Sequence, residues 1–213
     1  MTPRGITFDP ACQRCDRLAS FLADCRRERP GYHARPVPPF GDPDPRLLVV
    51  GLAPGLHGAN RTGRPFTGDH AGVLLYATLH EAGVSSAAAS QAADDGLRLR
   101  GVRITNAVKC VPPQNKPLPA EIRACNAYLA AELRALPQLR VVLALGRIAH
   151  DAVLDALGAR RRDCPFAHGA EHPLPGGRTL VDSFHCSRYN TQTRRLTVPM
   201  FRDVVSRAVA LAA

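Results

Sequence analysis

Three stretches of the chain carry residues whose types and spacing can do chemistry. Cys12 and Cys15 form a C-x2-C pair, and Cys110 and Cys125 flank a proline-rich segment far downstream. Four thiolates from two regions make a soft ligand set that suits zinc or an iron-sulfur cluster, and residue chemistry alone does not choose between them. Cys25, Cys164 and Cys186 have no partner at ligand spacing and read as packing residues. Seven cysteines, an odd number, make a disulfide framework the poorer explanation.

The second stretch, Gly51 to Asp69, reads G-L-A-P-G-L-H-G-A-N-R-T-G-R-P-F-T-G-D. Glycines such as Gly55 let the backbone approach a ligand and expose N–H groups, which suits a phosphate or a planar base. The stretch has neither the Gly-Lys-Ser/Thr ending of a P-loop nor dinucleotide-binding spacing. The third stretch, Phe184 to Arg195, reads F-H-C-S-R-Y-N-T-Q-T-R-R. Its hydroxyls, amides and arginines can bond phosphate oxygens, and Tyr189 can stack or wedge.

These stretches must be positioned by regular elements. Four short apolar runs read as buried parallel strands: Arg46 to Gly51, Val102 to Val108, Arg140 to Leu145 and Arg178 to Asp182. Helices are expected at Gln13 to Glu28, His70 to Ala82, Pro119 to Ala135, Arg147 to Leu157 and Thr197 to Leu211. The alternation predicts an α/β fold, a three-layer sandwich with a central, mostly parallel four-stranded sheet flanked by helices. Ligands of open parallel sheets bind outside the carboxyl ends of the strands, so the segments after each strand draw attention. The Ala-, Ser- and Asp-rich stretch Ala87 to Gly96 reads as a mobile connection with no chemistry.

Composition narrows the class. With 213 residues, 45% hydrophobic and 22% charged, the chain fits one globular domain over residues 1–213, and disordered or fibrous classes are excluded. Against 18 acidic residues stand 28 Lys and Arg, and the resulting formal charge of +10 points to a phosphate-rich partner. The N-terminal region carries Asp9 and Asp16 and lacks the apolar core of an export signal. Apolar runs such as Val141 to Leu145 fall far below the ~20 residues that span a bilayer. The expectation is a cytoplasmic protein with no membrane partner.

At its motifs the chain resembles the uracil-DNA glycosylase superfamily, specifically its bacterial family 5 branch. The resemblance is carried by G-L-A-P-G at Gly51 to Gly55, G-R-P-F-T-G-D at Gly63 to Asp69, T-N-A-V-K-C at Thr105 to Cys110, P-P-Q-N-K-P at Pro112 to Pro117 and H-C-S-R-Y-N-T-Q-T at His185 to Thr193. Family 4 has an acidic residue at the position of Leu52, which favours family 5. The resemblance implies a four-iron four-sulfur (4Fe-4S) cluster held by Cys12, Cys15, Cys110 and Cys125, in a structural role.

It also implies an enzyme of DNA base-excision repair that extrudes uracil from DNA and hydrolyses the N-glycosidic bond to leave an abasic site. Phe66 matches the residue on which the base stacks, and Asn106 the asparagine that reads a pyrimidine edge. Gly55 and Asn115 complete the base-binding set. His185 matches the donor to the leaving base's O2. Leu52, Ala53 and Pro54 offer no acid or amide, which leaves Asp69 to position water or stabilise the sugar cation. DNA contacts are expected from Asn60, Arg61, Ser187, Arg188, Asn190, Thr191 and Arg194. A pocket without a polar first motif suits other deaminated bases, such as hypoxanthine or xanthine. A monomer associated with the nucleoid is expected. The competing readings are a nonenzymatic, metal-containing DNA-binding module and a nucleotide hydrolase that uses the glycine-rich loop as a phosphate cradle.

Overall fold

The computed structural model describes residues 7–213; the first six residues of the domain expected over 1–213 lie outside it. Four parallel strands form the centre: β2 (Leu47–Gly51), β3 (Val102–Asn106), β4 (Val141–Leu145) and β6 (Arg178–Ser183). Two antiparallel strands, β1 (Phe40–Gly41) and β5 (Glu171–Leu174), cover the edges, giving the order β1-β3-β2-β4-β6-β5. Among the described residues the sheet therefore has six strands where four were expected. The two extra strands carry weak signals: β1 has two residues, and β5 contains Pro173, which lacks an N–H and is tolerated only at an edge.

Leu47, Leu48, Val49 and Val50 are all buried because both faces of β2 are covered. One face, with Val49, Ile104 and Leu143, packs on α3 (His70–Glu81) and α7 (Val198–Ala212). The opposite face, with Leu48, Val50, Val142 and Leu180, packs on α4 (Pro119–Arg134) and α5 (Arg147–Leu157). Each such side chain contributes about 1.5 to 3 kcal/mol on burial. Pro119 opens α4 at a position where a missing donor costs nothing. Helix α1 (Asp16–Glu28) is held to α4 by a two-pronged ion pair, Arg17 Nε and Nη2 each donating to Glu121 at 2.7 Å.

The connection from β2 runs toward β3, whereas that from β4 runs toward β6, so a crevice opens between the carboxyl ends of β2 and β4. Strand β3 stops at Asn106, earlier than the expected Val108. The chain turns there so that the Ala107 and Val108 amides donate to Gly51 O and Leu52 O, each at 2.9 Å. Two short helices, α2 (Ala59–Thr62) and α6 (Arg188–Gln192), lie in the segments after β2 and β6. The Ala87–Gly96 stretch is a tied loop and no free connection: the Asp95 carboxylate accepts from the backbone amides of Gln91, Ala92 and Leu97 and from Arg64.

Leu143 sits at the centre of this packing and is fully buried. Leu143→Ala is expected to lower stability by about 2 to 5 kcal/mol in urea unfolding. Val73→Ala, on a side chain that is 69% exposed, should fall within about 0.5 kcal/mol of the parent.

Candidate active site

The segments after all four parallel strands meet around a cavity of about 670 Å³ at the crevice. That volume suits a small aromatic ligand. Its lining includes Gly55 and Asp69 from the glycine-rich segment, Asn106 from β3, Gly146 and Arg147 after β4, and His185 after β6. The structure thus gathers the expected Gly55, Phe66, Asp69, Asn106, Asn115, His185, Ser187, Arg188 and Asn190 around one pocket.

Phe66 is buried, with its backbone at φ +54°, in the left-handed region that non-glycine residues avoid. Holding such a backbone costs on the order of 1 to 3 kcal/mol. Its ring stacks against His185, with centroids 6.0 Å apart and planes inclined by 27°. A β-carbon on Gly51 would lie 2.5 Å from Asn106 Oδ1 and 2.6 Å from the Phe66 ring, so only glycine lets these two side chains meet at the end of β2. Asn106 Oδ1 is buried with no hydrogen-bond partner. A buried acceptor left this way costs about 1 to 3 kcal/mol, which marks it as awaiting a donor.

Asp69 is the N-cap of α3, and its Oδ1 accepts from the Gly72 amide at 2.9 Å. Its Oδ2 faces Gly55 and Gly58; a β-carbon on Gly58 would come within 2.5 Å of it. One oxygen is fixed by the helix and the other is turned toward the pocket. Burial pushes the His185 imidazole below its ordinary value, and the Asp69 carboxylate partly opposes this. Asn190 Nδ2 donates to the His185 carbonyl at 2.8 Å, which anchors the histidine's backbone.

The rim is basic and partly aromatic. Ser187 caps α6 by accepting from the Asn190 amide at 3.4 Å. Thr191 Oγ1 lies 3.0 Å from His70 Nε2, joining α6 to α3. Arg188 and Arg194 are exposed, and Tyr189 stands 70% exposed beside them. Arg61 is also exposed, its Nε donating to His57 O at 2.8 Å, but it lies outside the pocket lining. Asn60 is placed differently from expectation: α2 turns it inward, fully buried, with both side-chain polar atoms unpaired, so it offers DNA no surface.

Several lining residues were not anticipated, among them His57, Arg147 and Phe166. Arg147 follows the Gly146 that ends β4, so the strand-end rule could have found it. Phe166 carries no sequence signal. It packs edge-on against His150, whose Nδ1 lies 2.8 Å from Asp182 Oδ1 and whose Nε2 lies 2.9 Å from Cys164 O. His172 completes the cluster at 3.2 Å from Asp182 Oδ2, bracing α5, β5 and β6 behind the pocket wall.

Cys12, Cys15, Cys110 and Cys125 line a second, smaller hollow between α1, the segment after β3, and α4. Burial pushes the Cys110 thiol up to about 12, reinforced by the charges that Cys125, Cys12 and Cys15 would carry. Four cysteines lining one hollow are, by the chemistry of their donors, a set that fits a soft metal or an iron-sulfur cluster. Cys25, Cys164 and Cys186 are buried apart from this hollow, as packing residues would be.

Fold and site together define an open-sheet α/β protein whose crevice is lined by an aromatic ring, an unpaired amide oxygen and a helix-capping carboxylate. The family model of the uracil DNA glycosylase superfamily matches residues 38–208. A type-5 uracil-DNA glycosylase from Thermus thermophilus is 55% identical over 207 residues, covering 95% of this chain and 94% of that protein. Another, from Pyrobaculum aerophilum, is 44% identical over 218 residues, covering 98% and 95%. A type-4 uracil-DNA glycosylase from Thermotoga maritima is 33% identical over 148 residues, covering 69% and 67%. The chain belongs to the uracil DNA glycosylase superfamily, in its type-5 branch.

An imidazole depressed by burial titrates below its ordinary midpoint near ~6.5. Because the unfolded chain then takes up the proton first, this group's contribution to stability is present above that pH and is lost as pH falls toward the folded value. NMR titration of His185 should give a midpoint below ~6.5 that drops further in Asp69→Ala, where the opposing carboxylate is gone. A midpoint that rises in the variant would contradict the arrangement.

Proposed function

We propose that the protein is a uracil-DNA glycosylase of base-excision repair, acting as a monomeric single domain on uracil and other deaminated bases in nucleoid DNA. The observation that carries this reading is the unpaired, buried Asn106 Oδ1 beside the Phe66 ring. Uracil N3–H is a donor for that oxygen, and uracil O4 is an acceptor for the same amide's N–H groups.

The bond to be broken is inaccessible within a duplex, so the nucleotide must be extruded, at a cost of a few kcal/mol. The +10 net charge and the Arg188, Arg194 and Arg61 side chains supply phosphate contacts, with Ser187, Asn190 and Thr191 ordering the segment that carries Arg188 and Arg194. Tyr189, exposed beside Arg188, is the side chain that enters the space the base leaves. Phe66 then stacks on the extruded ring, a contact worth about 1 to 3 kcal/mol. Asn115, exposed on the rim at φ +58°, is available to the same ring or to the attacking water.

Cleavage of the N-glycosidic bond leaves the electron pair on the base and positive charge on the sugar. The neutral His185 imidazole donates a hydrogen bond to the departing base's O2. Asp69 Oδ2 faces the sugar cation and orients the water whose oxygen bonds to the anomeric carbon, and the proton that this water gives up ends on the departing base anion. Leu52, Ala53 and Pro54 present no polar side chain, so leaving-group stabilisation dominates over strict readout of the base. That balance favours hypoxanthine and xanthine as further substrates.

In this reading Cys12, Cys15, Cys110 and Cys125 hold a 4Fe-4S cluster. When bound, it supplies a covalent tie between the N-terminal segment and the proline-rich segment that carries Asn115. Replacing Cys110 with Ser should abolish the brown colour and the visible thiolate-to-iron absorption of the purified protein. A colourless parent containing zinc would contradict this cofactor.

Asp69→Ala and His185→Ala should each slow single-turnover uracil release about 100- to 1000-fold while retaining duplex binding. Alkali cleavage of abasic sites reads the product, and the same assay on hypoxanthine and xanthine duplexes maps the substrate range. Intact strands at enzyme excess on every substrate would favour a nonenzymatic DNA-binding module.

A further inference from the structure

Arg64 belongs to the G-R-P-F-T-G-D motif but cannot serve as a phosphate contact. Its side chain is only 4% exposed and three of its five N–H donors are engaged within the protein. Nη1 donates to Asp95 Oδ1 at 2.6 Å and to Ser90 Oγ at 2.9 Å, and Nη2 donates to Ala93 O at 2.5 Å. The guanidinium also lies 4.2 Å over the Phe40 ring. Three of these four contacts reach the loop of residues 87–96.

The same loop also holds Thr67, the residue after Phe66. Thr67 Oγ1 and Ser90 Oγ are 2.7 Å apart, and between the two anchors Tyr76 Oη donates to Pro65 O at 2.9 Å. The Phe66 carbonyl lies against Gly72, where any side chain would collide with it. The residues flanking Phe66 are therefore fixed in direction, while Phe66 itself is held in a backbone conformation that it would leave if released. Asp95 is suited to this role because its carboxylate is held by three backbone amides of its own loop, which aim it at the arginine. Burial works against its charge, yet the arginine and these amides hold its carboxyl well below the usual carboxylate range.

We propose that Arg64 and Asp95 form a clamp that holds Phe66 in its left-handed conformation, which makes the 87–96 loop a positioning element of the base pocket. The proposal rests on the reading of Phe66 as the surface on which the extruded base stacks. Arg64 and Asp95 act through Phe66 and touch no reacting atom.

The test uses two duplexes: one with uncleavable 2′-fluoro-2′-deoxyuridine opposite G, the other with a tetrahydrofuran abasic analogue at that position. Asp95→Ala should weaken binding to the first by at least about fivefold, the low end of a stacking contact, and leave the second within about twofold. Asp95→Asn, which keeps one of the two acceptor oxygens, should lose less. In a Phe66→Ala background, Asp95→Ala should produce no further loss. Equal losses on both duplexes, or an undiminished loss in the Phe66→Ala background, would overturn the clamp. Hydrogen exchange at the Thr67 amide, which donates to Arg64 O at 3.3 Å, provides a readout independent of DNA. Faster exchange in Asp95→Ala supports the clamp and unchanged exchange overturns it, even if the parent fails to distinguish the two duplexes and the stacking reading itself falls.

Discussion

At the end of β2, Asn106 and Phe66 both press into the space that a β-carbon on Gly51 would fill. That close approach sets the geometry of the pocket. It places an aromatic face and an unpaired amide oxygen side by side at the carboxyl end of the central strands. Parallel pairing of β2 with β3 fixes the register, with Gly51 opposite Asn106. The buried aliphatic layers on both faces of the sheet keep that register from slipping.

Around this point the positive charge is divided by function. Arg64 and Arg103 are tied inward, to Asp95 and Glu132, and Lys109 is buried beside the same glutamate. Burial alone would raise the Glu132 carboxyl, but Lys109 and Arg103 more than reverse this. Arg188 and Arg194 stay exposed on the loop after β6, and Arg195 covers the Phe184 ring at 4.7 Å while lining the pocket. Net charge alone does not separate these placements, because an arginine that braces a loop and one left exposed on the rim add equally to the total.

Much of this was legible in the sequence. The four parallel strands, five of the helices and the strand-end placement of the glycine-rich and His185 segments follow from apolar runs bounded by turn residues. What escaped was either too short or too dependent on distant partners. Strand β1 is two residues long, and β5 hides its alternation of exposed and buried side chains behind Pro173. Asp95 looks like any loop acid until Arg64, 31 residues earlier, arrives beside it. Asn60 and Arg61 are adjacent in sequence, yet the α2 turn buries one and exposes the other. Phe166 enters the pocket wall only because His150, Asp182 and Cys164 O fix the surface on which it packs.

Asp69 has one oxygen bonded to the first turn of α3 and the other facing the pocket. Its side chain is therefore immobilised by folding itself, before any ligand arrives, and no rotamer freedom remains to be lost when a ligand does. The same economy limits how position 69 can change over evolutionary time. A replacement must both cap a helix and present the right atom to the crevice, a pair of demands that short polar side chains alone can meet. Helix stability and pocket chemistry are thus inherited together at this residue, and a lineage altering one would have to compensate for the other elsewhere.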